Sequence, residues 1–292
     1  MKYLALFVFL VALYPVWGQS QFPSDPAEAQ FITSDIPLFW ECFDAMESER
    51  NPFRRYLSDG SQGVQDFIKY RIENSRNLLK TVQGNSARYL AVREQSFEIA
   101  EYTEDMRKTY EAFKNLFPEA VFPPTYFVFG ALNSGGTSSA NGLIIGVEMQ
   151  SDPERLVYIV AHELIHFNQY YQQASNTLLM QSIKEGAADF MGEMISGDHI
   201  NGETFAYGDA HREELCALFV AQMHDSEYQG WLYGGKKPEG WPNDLGYWMG
   251  YQICQSYYDQ SEDKKQAIYD ILHIQDFDAF LAKSGYLNEW LK

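Results

Sequence analysis

One apolar segment constrains what this chain can fold into more than any other. It reads V-A-H-E-L-I-H-F-N-Q-Y-Y, from Val160 to Tyr171, and its composition predicts a helix. Residues four apart lie one turn apart on the same helix face, so His162 and His166 present two imidazoles to one point. Glu163 can reach a water at that point without being a ligand itself. The two histidines are either core residues that happen to align or two ligands of a metal ion.

A third ligand for such an ion follows further along the chain. Catalytic zinc takes three protein ligands and keeps one position for water, so the two histidines need one more partner. Eighteen residues separate His166 from Glu185, enough to finish one helix, turn and return antiparallel. Glu185 would then face both histidines, and the small residues at 186–188 would let the two helices approach closely. Asp189, one turn beyond, can accept the second N–H of a ligand histidine.

At these residues the chain resembles a known class of enzymes. The sequence H-E-x-x-H at 162–166, followed by E-G-x-x-D at 185–189, is similar to the motif of the gluzincin class of zinc metallopeptidases. The resemblance implies Zn²⁺ as the cofactor, Glu163 as the general base and Asp189 as the carboxylate behind the ligands. The zinc ligands that it implies are His162, His166 and Glu185.

More narrowly, the chain resembles the bacterial envelope family of predicted zinc-dependent proteases related to gliding-motility lipoprotein B. Three segments outside the zinc motif carry this resemblance: T-S-D-I before F-W at 33–40, Y-L-x-D-G-S-x-G at 56–63 and G-Y-W-x-G-Y at 246–251. It implies a zincin-like metallopeptidase core in which a small sheet precedes the zinc-binding helix pair. Unlike the lipoproteins of that group, this chain has no cysteine placed for lipidation.

The resemblance also implies a group that holds the oxyanion of the reaction, because gluzincins usually add a Tyr or His for this purpose. Tyr247 and Tyr251, one turn apart on a predicted helix, are the candidates, and either can instead be a packing aromatic. His211 and His224 are weaker substitutes, which as ordinary residues would be structural or lie on the surface. In this enzyme class the strand before the zinc helix, here 143–148, pairs with an extended substrate.

Two features near that strand have both an ordinary and a functional interpretation. Glu148 is either a group for a substrate amino terminus or an ordinary strand-end carboxylate, and the missing G-A-M-E-N-type sequence favours the second interpretation. The small-residue loop around Gly135 and Gly136 has little reason to be rigid, and its composition permits a lid.

The order of predicted elements favours an α+β fold that is predominantly helical, because few strands come before many helices. Strands are predicted at 31–33, 125–130 and 143–148. Long helical stretches are predicted at 63–79 and 87–116, and later helices at 153–173, 176–196, 207–225, 243–259, 263–273 and 275–284. We expect one domain over 31–292, with a helical N-terminal part at 31–120 and a catalytic part at 121–292.

The N-terminus has the pattern of a secretory signal. A short basic start precedes an apolar run from Leu4 to Trp17, and small residues suited to signal peptidase come before Gln19. Residues 1–18 are therefore predicted to be cleaved, and the polar, proline-containing stretch at 19–30 to be a flexible leader. We expect a periplasmic or secreted protein that is not lipidated and has no transmembrane anchor after cleavage.

Composition limits the partners. A net charge of -18 disfavours nucleic acid and anionic membranes, whose binding relies on Lys and Arg contacts. Cys42, Cys216 and Cys254 are too few for a disulfide scaffold, so at most one bridge forms within the chain. The leading hypothesis is an exported zinc metallopeptidase acting on peptides or unfolded segments. An envelope scaffold with little catalysis, and a hydrolase of non-peptide amides or esters, remain the alternatives.

Overall fold

Four short strands and fourteen α-helices make up the described part of the chain. The computed structural model describes residues 21–150, 152–171, 176–228, 230–234 and 236–291. Helices hold 62% of the structure and the strands form one small mixed sheet, which agrees with the predicted α+β class. The strands are β1 (Phe31–Ile32), β2 (Thr125–Val128), β3 (Gly136–Ser139) and β4 (Gly142–Gly146).

The helices fall into two groups along the chain. Seven precede β2: α1 (Asp35–Asp44), α2 (Phe53–Asp59), α3 (Gln62–Phe67), α4 (Ser75–Gly84), α5 (Ser86–Ala91), α6 (Arg93–Glu98) and α7 (Thr103–Leu116). Seven follow β4: α8 (Leu156–Asn168), α9 (Leu178–Ser196), α10 (Gly202–Ala210), α11 (Arg212–Gln222), α12 (Leu245–Gln260), α13 (Lys264–Leu272) and α14 (Phe277–Ser284). Among the described helices, none is long and apolar enough to cross a membrane.

The sheet has the order β1-β2-β4-β3. β2 pairs in parallel with both β1 and β4, whereas β3 runs antiparallel to β4. The three predicted strands are therefore present, but β3 occupies a stretch expected to be a loop. Because β4 has a neighbour on each side, the expectation that the 143–148 strand receives a substrate is wrong. The edge strand on that side of the sheet is β3.

The predicted helix at 63–79 is interrupted after α3 by a π-helical turn at Ile68–Ile72, before α4 begins. Two further predicted helices are broken. The stretch at 87–116 contains α5, α6, a 3-10 turn and α7, and the stretch at 207–225 contains the end of α10 and all of α11. At the last of these breaks, His211 leaves helical geometry with φ -120° and ψ 23°. Its Nδ1 bonds the Tyr207 carbonyl oxygen at 2.9 Å, so the side chain competes for an acceptor of the helix.

Buried apolar side chains from Ala29 to Leu287 form one continuous core. Its N-terminal part centres on Phe39, whose ring stacks on Phe129 with centroids 4.1 Å apart. The division of the domain into a helical N-terminal part at 31–120 and a catalytic part at 121–292 remains a prediction. Residues 1–18, the predicted signal peptide, lie outside the described residues.

The predicted leader does not behave as a loose segment over its described part. Phe22 packs edge-on against Phe167 with ring centroids 5.2 Å apart, and the Pro23 carbonyl accepts a hydrogen bond from the Phe122 N–H at 2.8 Å. The Arg107 guanidinium donates to the Pro26 carbonyl at 2.7 Å. These contacts attach residues 22–26 to the body of the protein.

The helix α9 contacts both α8 and α12, and its Gly186 faces α12. A Cβ on Gly186 would overlap the backbone of Gly250 and Tyr251, and a Cβ on Gly250 would overlap the Ser182 carbonyl oxygen. The expectation that Gly186 serves the approach of the zinc helix pair is therefore wrong. It serves the approach of α9 to α12, which brings the 245–260 helix beside the histidines of α8.

Candidate metal centre

Two helices bring the three predicted ligands together. His162 and His166 project from α8, and Glu185 projects from the adjacent α9. The Oε2 atom of Glu185 lies 2.9 Å from His166 Nε2 and 3.5 Å from His162 Nε2. One ligand atom from each residue lies within 4.8 Å of the other two. Ligand atoms in a tetrahedral zinc site lie about 3.4 Å apart, since each bond is about 2.1 Å, so the residues fit this ion.

The outer nitrogens of both imidazoles are engaged. His162 Nδ1–H donates to Asp189 Oδ1 at 2.7 Å, and Asn201 Nδ2 in turn donates to Asp189 Oδ2 at 2.6 Å. His166 Nδ1–H donates to Gln169 Oε1 at 2.8 Å, while Gln169 Nε2 donates to a backbone carbonyl at 2.8 Å, which fixes the amide. Both Nε2 atoms are thereby directed to the same point, as ligand histidines require.

The carboxylates of Glu185 and Asp189 determine which charge is favoured at this point. Burial alone would raise the pKa of Glu185, but His166 and His162 outweigh burial and hold that pKa well below its usual range. Burial alone would lower the pKa of His162, but hydrogen bonds to Asp189 and Glu185 raise that pKa well above its usual value. The carboxylates thus favour positive charge between them, which is the electrostatic requirement of a cation site.

The Glu163 side chain faces a cavity that the predicted ligand His162 also lines. A Cβ on Gly136 of β3 would overlap the Glu163 carboxylate, so this glycine makes room for it. Burial raises the pKa of the Glu163 carboxyl. Among the described residues, its oxygens have no hydrogen-bond partner. Such a carboxylate is free to accept a proton from a water in the cavity.

The cavity beside Glu163 has a volume of about 420 Å³ and also contacts His162. Its other walls include Gly135 and Gly136 at the edge of the sheet. A second cavity of about 710 Å³ adjoins it through shared walls at Asp152, Arg155 and Ile200. The centre therefore opens onto a cleft and is not closed on all sides.

The structure separates the two candidate tyrosines. Tyr247 lines the cavity, and its ring stacks on that of His162 with centroids 5.9 Å apart. The Tyr251 hydroxyl instead donates to Glu193 Oε2 at 2.7 Å, and its ring packs against Phe190. Because its hydroxyl is held away from the cavity, Tyr251 is not a candidate for contact with substrate.

The weaker histidine candidates lie elsewhere. His211 is exposed at the break between α10 and α11, and exposed His224 lies 3.8 Å from Asp278. Neither lines the cavity beside Glu163. Both positions agree with the surface or structural interpretation of these residues.

Glu148 is buried behind the sheet and does not line this cavity. Its Oε1 accepts the Leu132 N–H at 3.2 Å, and Leu132 has a left-handed φ of 61°. The carboxylate therefore anchors the chain between β2 and β3. Burial raises the pKa of Glu148 to about 7.

Two residues that contact the predicted ligands were not predicted from the sequence. Gln169 follows His166 by three positions, so helical spacing gave a signal that could have found it. Tyr233 gave no such signal: it lies in a glycine-rich segment, and its hydroxyl donates to Glu185 Oε1, 48 positions earlier, at 2.7 Å. A contact between a loop and a helix this far apart follows from the tertiary fold alone.

Comparison with known proteins yields one family. The family described as Predicted Zn-dependent protease (DUF2268) matches residues 127–274, half of the chain. This range contains β3, β4, both ligand helices and all of α12, which carries Tyr247 and Tyr251. No curated protein and no solved structure matches the chain.

Proposed function

The chain belongs to the DUF2268 family of predicted Zn-dependent proteases, and on this premise we propose that it is a zinc metallopeptidase that hydrolyses peptide bonds. The ion would be held by His162, His166 and Glu185. The observation that carries the proposal is the convergence of these three ligand atoms beside the Glu163 carboxylate, at the wall of an open cavity.

Each residue of the centre has a distinct task in this proposal. Zinc bound there supplies Lewis acidity toward the scissile carbonyl and acidifies a water. Glu163 would take a proton from a water in the cavity and deliver it to the leaving amine. Asp189 and Gln169 hold the two imidazoles in orientation through their Nδ1 atoms.

Tyr247 is the group that we propose for the oxyanion. Its ring lies over His162, and its hydroxyl has no hydrogen-bond partner among the described residues. A hydroxyl at the cavity wall can donate to negative charge that develops on the substrate. Edge strand β3 is the element that we propose for pairing with an extended peptide.

We also propose a zincin-like core and a relation to the gliding-motility group. A sheet followed by the α8–α9 pair supports a zincin-like core. All three segments similar to the gliding-motility group have structural roles here. Asp35 accepts the Ser61 N–H at 2.8 Å and so joins α1 to the start of α3, while Gly250 sets the α9–α12 distance. We propose the relation to that group because the segments that carry the resemblance have these roles in this chain.

A Glu163→Gln variant tests the proposal. We expect it to retain one zinc ion per chain, because Glu163 is not a ligand, and to lose about 10²- to 10⁴-fold in kcat on a mixed peptide library. His162→Ala should lose both zinc and activity. Metal content and cleavage rates are measured with and without a chelator, and exposed Glu119→Gln is the matched control.

Three outcomes would count against the proposal. A zinc-loaded protein that cleaves no peptide in a chelator-sensitive way would favour the envelope scaffold. Cleavage that Glu163→Gln leaves unchanged would remove the general base from the mechanism. Activity on small amide or ester substrates alone would favour the non-peptide hydrolase.

Export and partners remain proposals that rest on the sequence. The N-terminal pattern supports a periplasmic or secreted protein without a lipid, whose partner is a peptide or protein substrate and not nucleic acid. Cell fractionation with N-terminal sequencing tests this, and a mature chain that starts at Gln19 is the expected result. A cytoplasmic protein that retains Met1 would contradict it.

A further inference from the structure

One oxygen of the ligand carboxylate is held from outside the cluster. The Tyr233 hydroxyl donates to Glu185 Oε1 at 2.7 Å, whereas Glu185 Oε2 faces the two histidines. Gln181 Oε1 lies 3.3 Å from the same hydroxyl, so the shorter distance and the charge make Glu185 the acceptor. The two carboxylate oxygens therefore have different partners.

Tyr233 reaches this position through a strained backbone. Its φ is 60°, a left-handed value that is unfavourable for any residue with a Cβ. The Asp244 carboxylate holds the strained residue by accepting its N–H at 2.7 Å. The preceding Trp231 and Leu232 are buried, and the Trp231 carbonyl accepts the Gly246 N–H at 2.9 Å. Strain of this kind persists only where surrounding contacts enforce it, and it is concentrated at functional sites.

The ring packs edge-on against that of Tyr228, with centroids 5.8 Å apart, but makes little contact with the core. Tyr233 is 56% exposed, in contrast to the buried hydrophobic residues that precede it. It is not among the residues that line the cavity beside Glu163. Neither core packing nor contact with a substrate in that cavity accounts for the position of this tyrosine. The hydrogen bond from its hydroxyl to Glu185 does account for it.

We propose that Tyr233 is a positioning residue for Glu185. By holding Oε1, it leaves Oε2 alone to face His162 and His166, so that the carboxylate acts as a one-oxygen ligand. Without the hydroxyl, Oε1 loses a charge-assisted hydrogen bond and the carboxylate can rotate toward two-oxygen coordination. The inference rests on the proposed zinc site and adds a loop residue to it.

The test compares zinc affinity in two variants of the same loop. Tyr233→Phe removes the hydroxyl on Glu185, and Tyr228→Phe removes a neighbouring hydroxyl that contacts Asn176 at 2.8 Å instead. We expect the zinc Kd of Tyr233→Phe to rise about 10- to 100-fold in a chelator competition assay, as for the loss of other groups that orient ligands. Tyr228→Phe should stay within about twofold of the unaltered protein.

A spectroscopic measurement separates positioning from general loosening. Co²⁺ in place of zinc reports coordination geometry through its visible absorption, which a change in how Glu185 binds should alter in Tyr233→Phe but not in Tyr228→Phe. An unchanged Kd and spectrum in Tyr233→Phe would overturn the inference while the zinc peptidase proposal stands. Equal losses in both variants would also overturn it. Failure of the unaltered protein to bind zinc would overturn the proposed function itself.

Discussion

At the scale of single residues, Glu148 shows what a buried carboxylate does outside the metal centre. One oxygen accepts the Leu132 N–H, and the other, Oε2, has no hydrogen-bond partner within the described ranges. Burial makes the charged form costly, which is why its pKa rises to about 7 from the usual 4.5. The fold therefore binds a proton at Glu148 more tightly than the unfolded chain does.

This pKa predicts a pH-dependent effect of Glu148→Gln. Between about pH 4.5 and 7 the folded protein keeps a proton that the unfolded chain releases, so Glu148 lowers stability increasingly as the pH rises. The glutamine side chain of the variant would be neutral at every pH and could still accept the Leu132 N–H. We expect the stability of the variant relative to the unaltered protein to increase from pH 5 to pH 8 by up to about 3 kcal/mol.

Urea unfolding at several pH values measures this difference. Exposed Glu119→Gln is the control, for which the difference should stay nearly constant. A Glu148→Gln difference that is the same at pH 5 and pH 8 would show that Glu148 is ionised in the fold throughout.

The sequence was more informative for some residues of the centre than for others. His162, His166 and Asp189 follow from helical spacing, and Glu185 follows from the length of one helical return. Tyr247 and Tyr251 share a helix and a residue type, so the sequence could not separate them. Only the packing of α12 against α9 shows which hydroxyl faces the cavity.

At the scale of elements, the α9–α12 contact sets the position of the centre. α9 carries Glu185 and α12 carries Tyr247, and the two helices meet through the backbone at Gly186 and Gly250. The distance between the helix axes therefore depends on the absence of two Cβ atoms. Any side chain at either position must move one helix away from the other.

A pair of Gly→Ala variants tests this dependence. Gly250→Ala should lower the free energy of unfolding by about 1–3 kcal/mol, because the added methyl meets the Ser182 carbonyl and the helices must separate. Gly84→Ala at the end of α4 meets nothing within 4 Å, so it should be neutral or slightly stabilising. Denaturant unfolding measures both, and equal stabilities would contradict the close contact.

Helices and strands were predictable from the sequence where the pattern that specifies them is local. The strands β1, β2 and β4 and the helices α8, α9, α12, α13 and α14 lie close to their predicted positions. β3 was missed because Gly136–Ser139 has the small residues of a loop, and its strand character comes from pairing with β4. The break at His211 was missed because it depends on a side-chain hydrogen bond.

At the scale of the whole molecule, the centre joins distant parts of the chain. Its groups come from α8, α9, the 226–243 segment and the start of α12, and all of these pack on one core. The unfolded chain cannot present the three ligands at this spacing. Zinc should therefore bind the folded state preferentially and stabilise it.

We expect zinc at about 1,000 times its Kd to add about 4 kcal/mol to the stability of the protein. For a chain of this length the thermal midpoint should rise by several degrees. A thermal melt with zinc, and another with a chelator, measures the change. His162→Ala should abolish it, and an equal rise in that variant would assign the stabilisation to ions bound elsewhere.

The resemblance of the chain to a protease family was predictable from a few short motifs, whereas the fold around them was not. H-E-x-x-H and the later glutamate are local enough to be recognised directly. The docking of residues 22–26 and the close α9–α12 contact cannot be recognised in the same way. They depend on surfaces that exist only after the helices have packed. The family match over 127–274 supports the interpretation of the local motif.

The close contact of α9 and α12 has a consequence for protein engineering. A library that seeks new specificity should keep Gly186 and Gly250 fixed, since variation there would displace Glu185 and Tyr247, the groups proposed for the centre, before it altered any preference. Met149, Ile159 and Ile200 line the cavity without holding the metal ligands, so they are the positions to randomise. The positions to keep fixed thus lie between α9 and α12, and the positions to vary line the cleft.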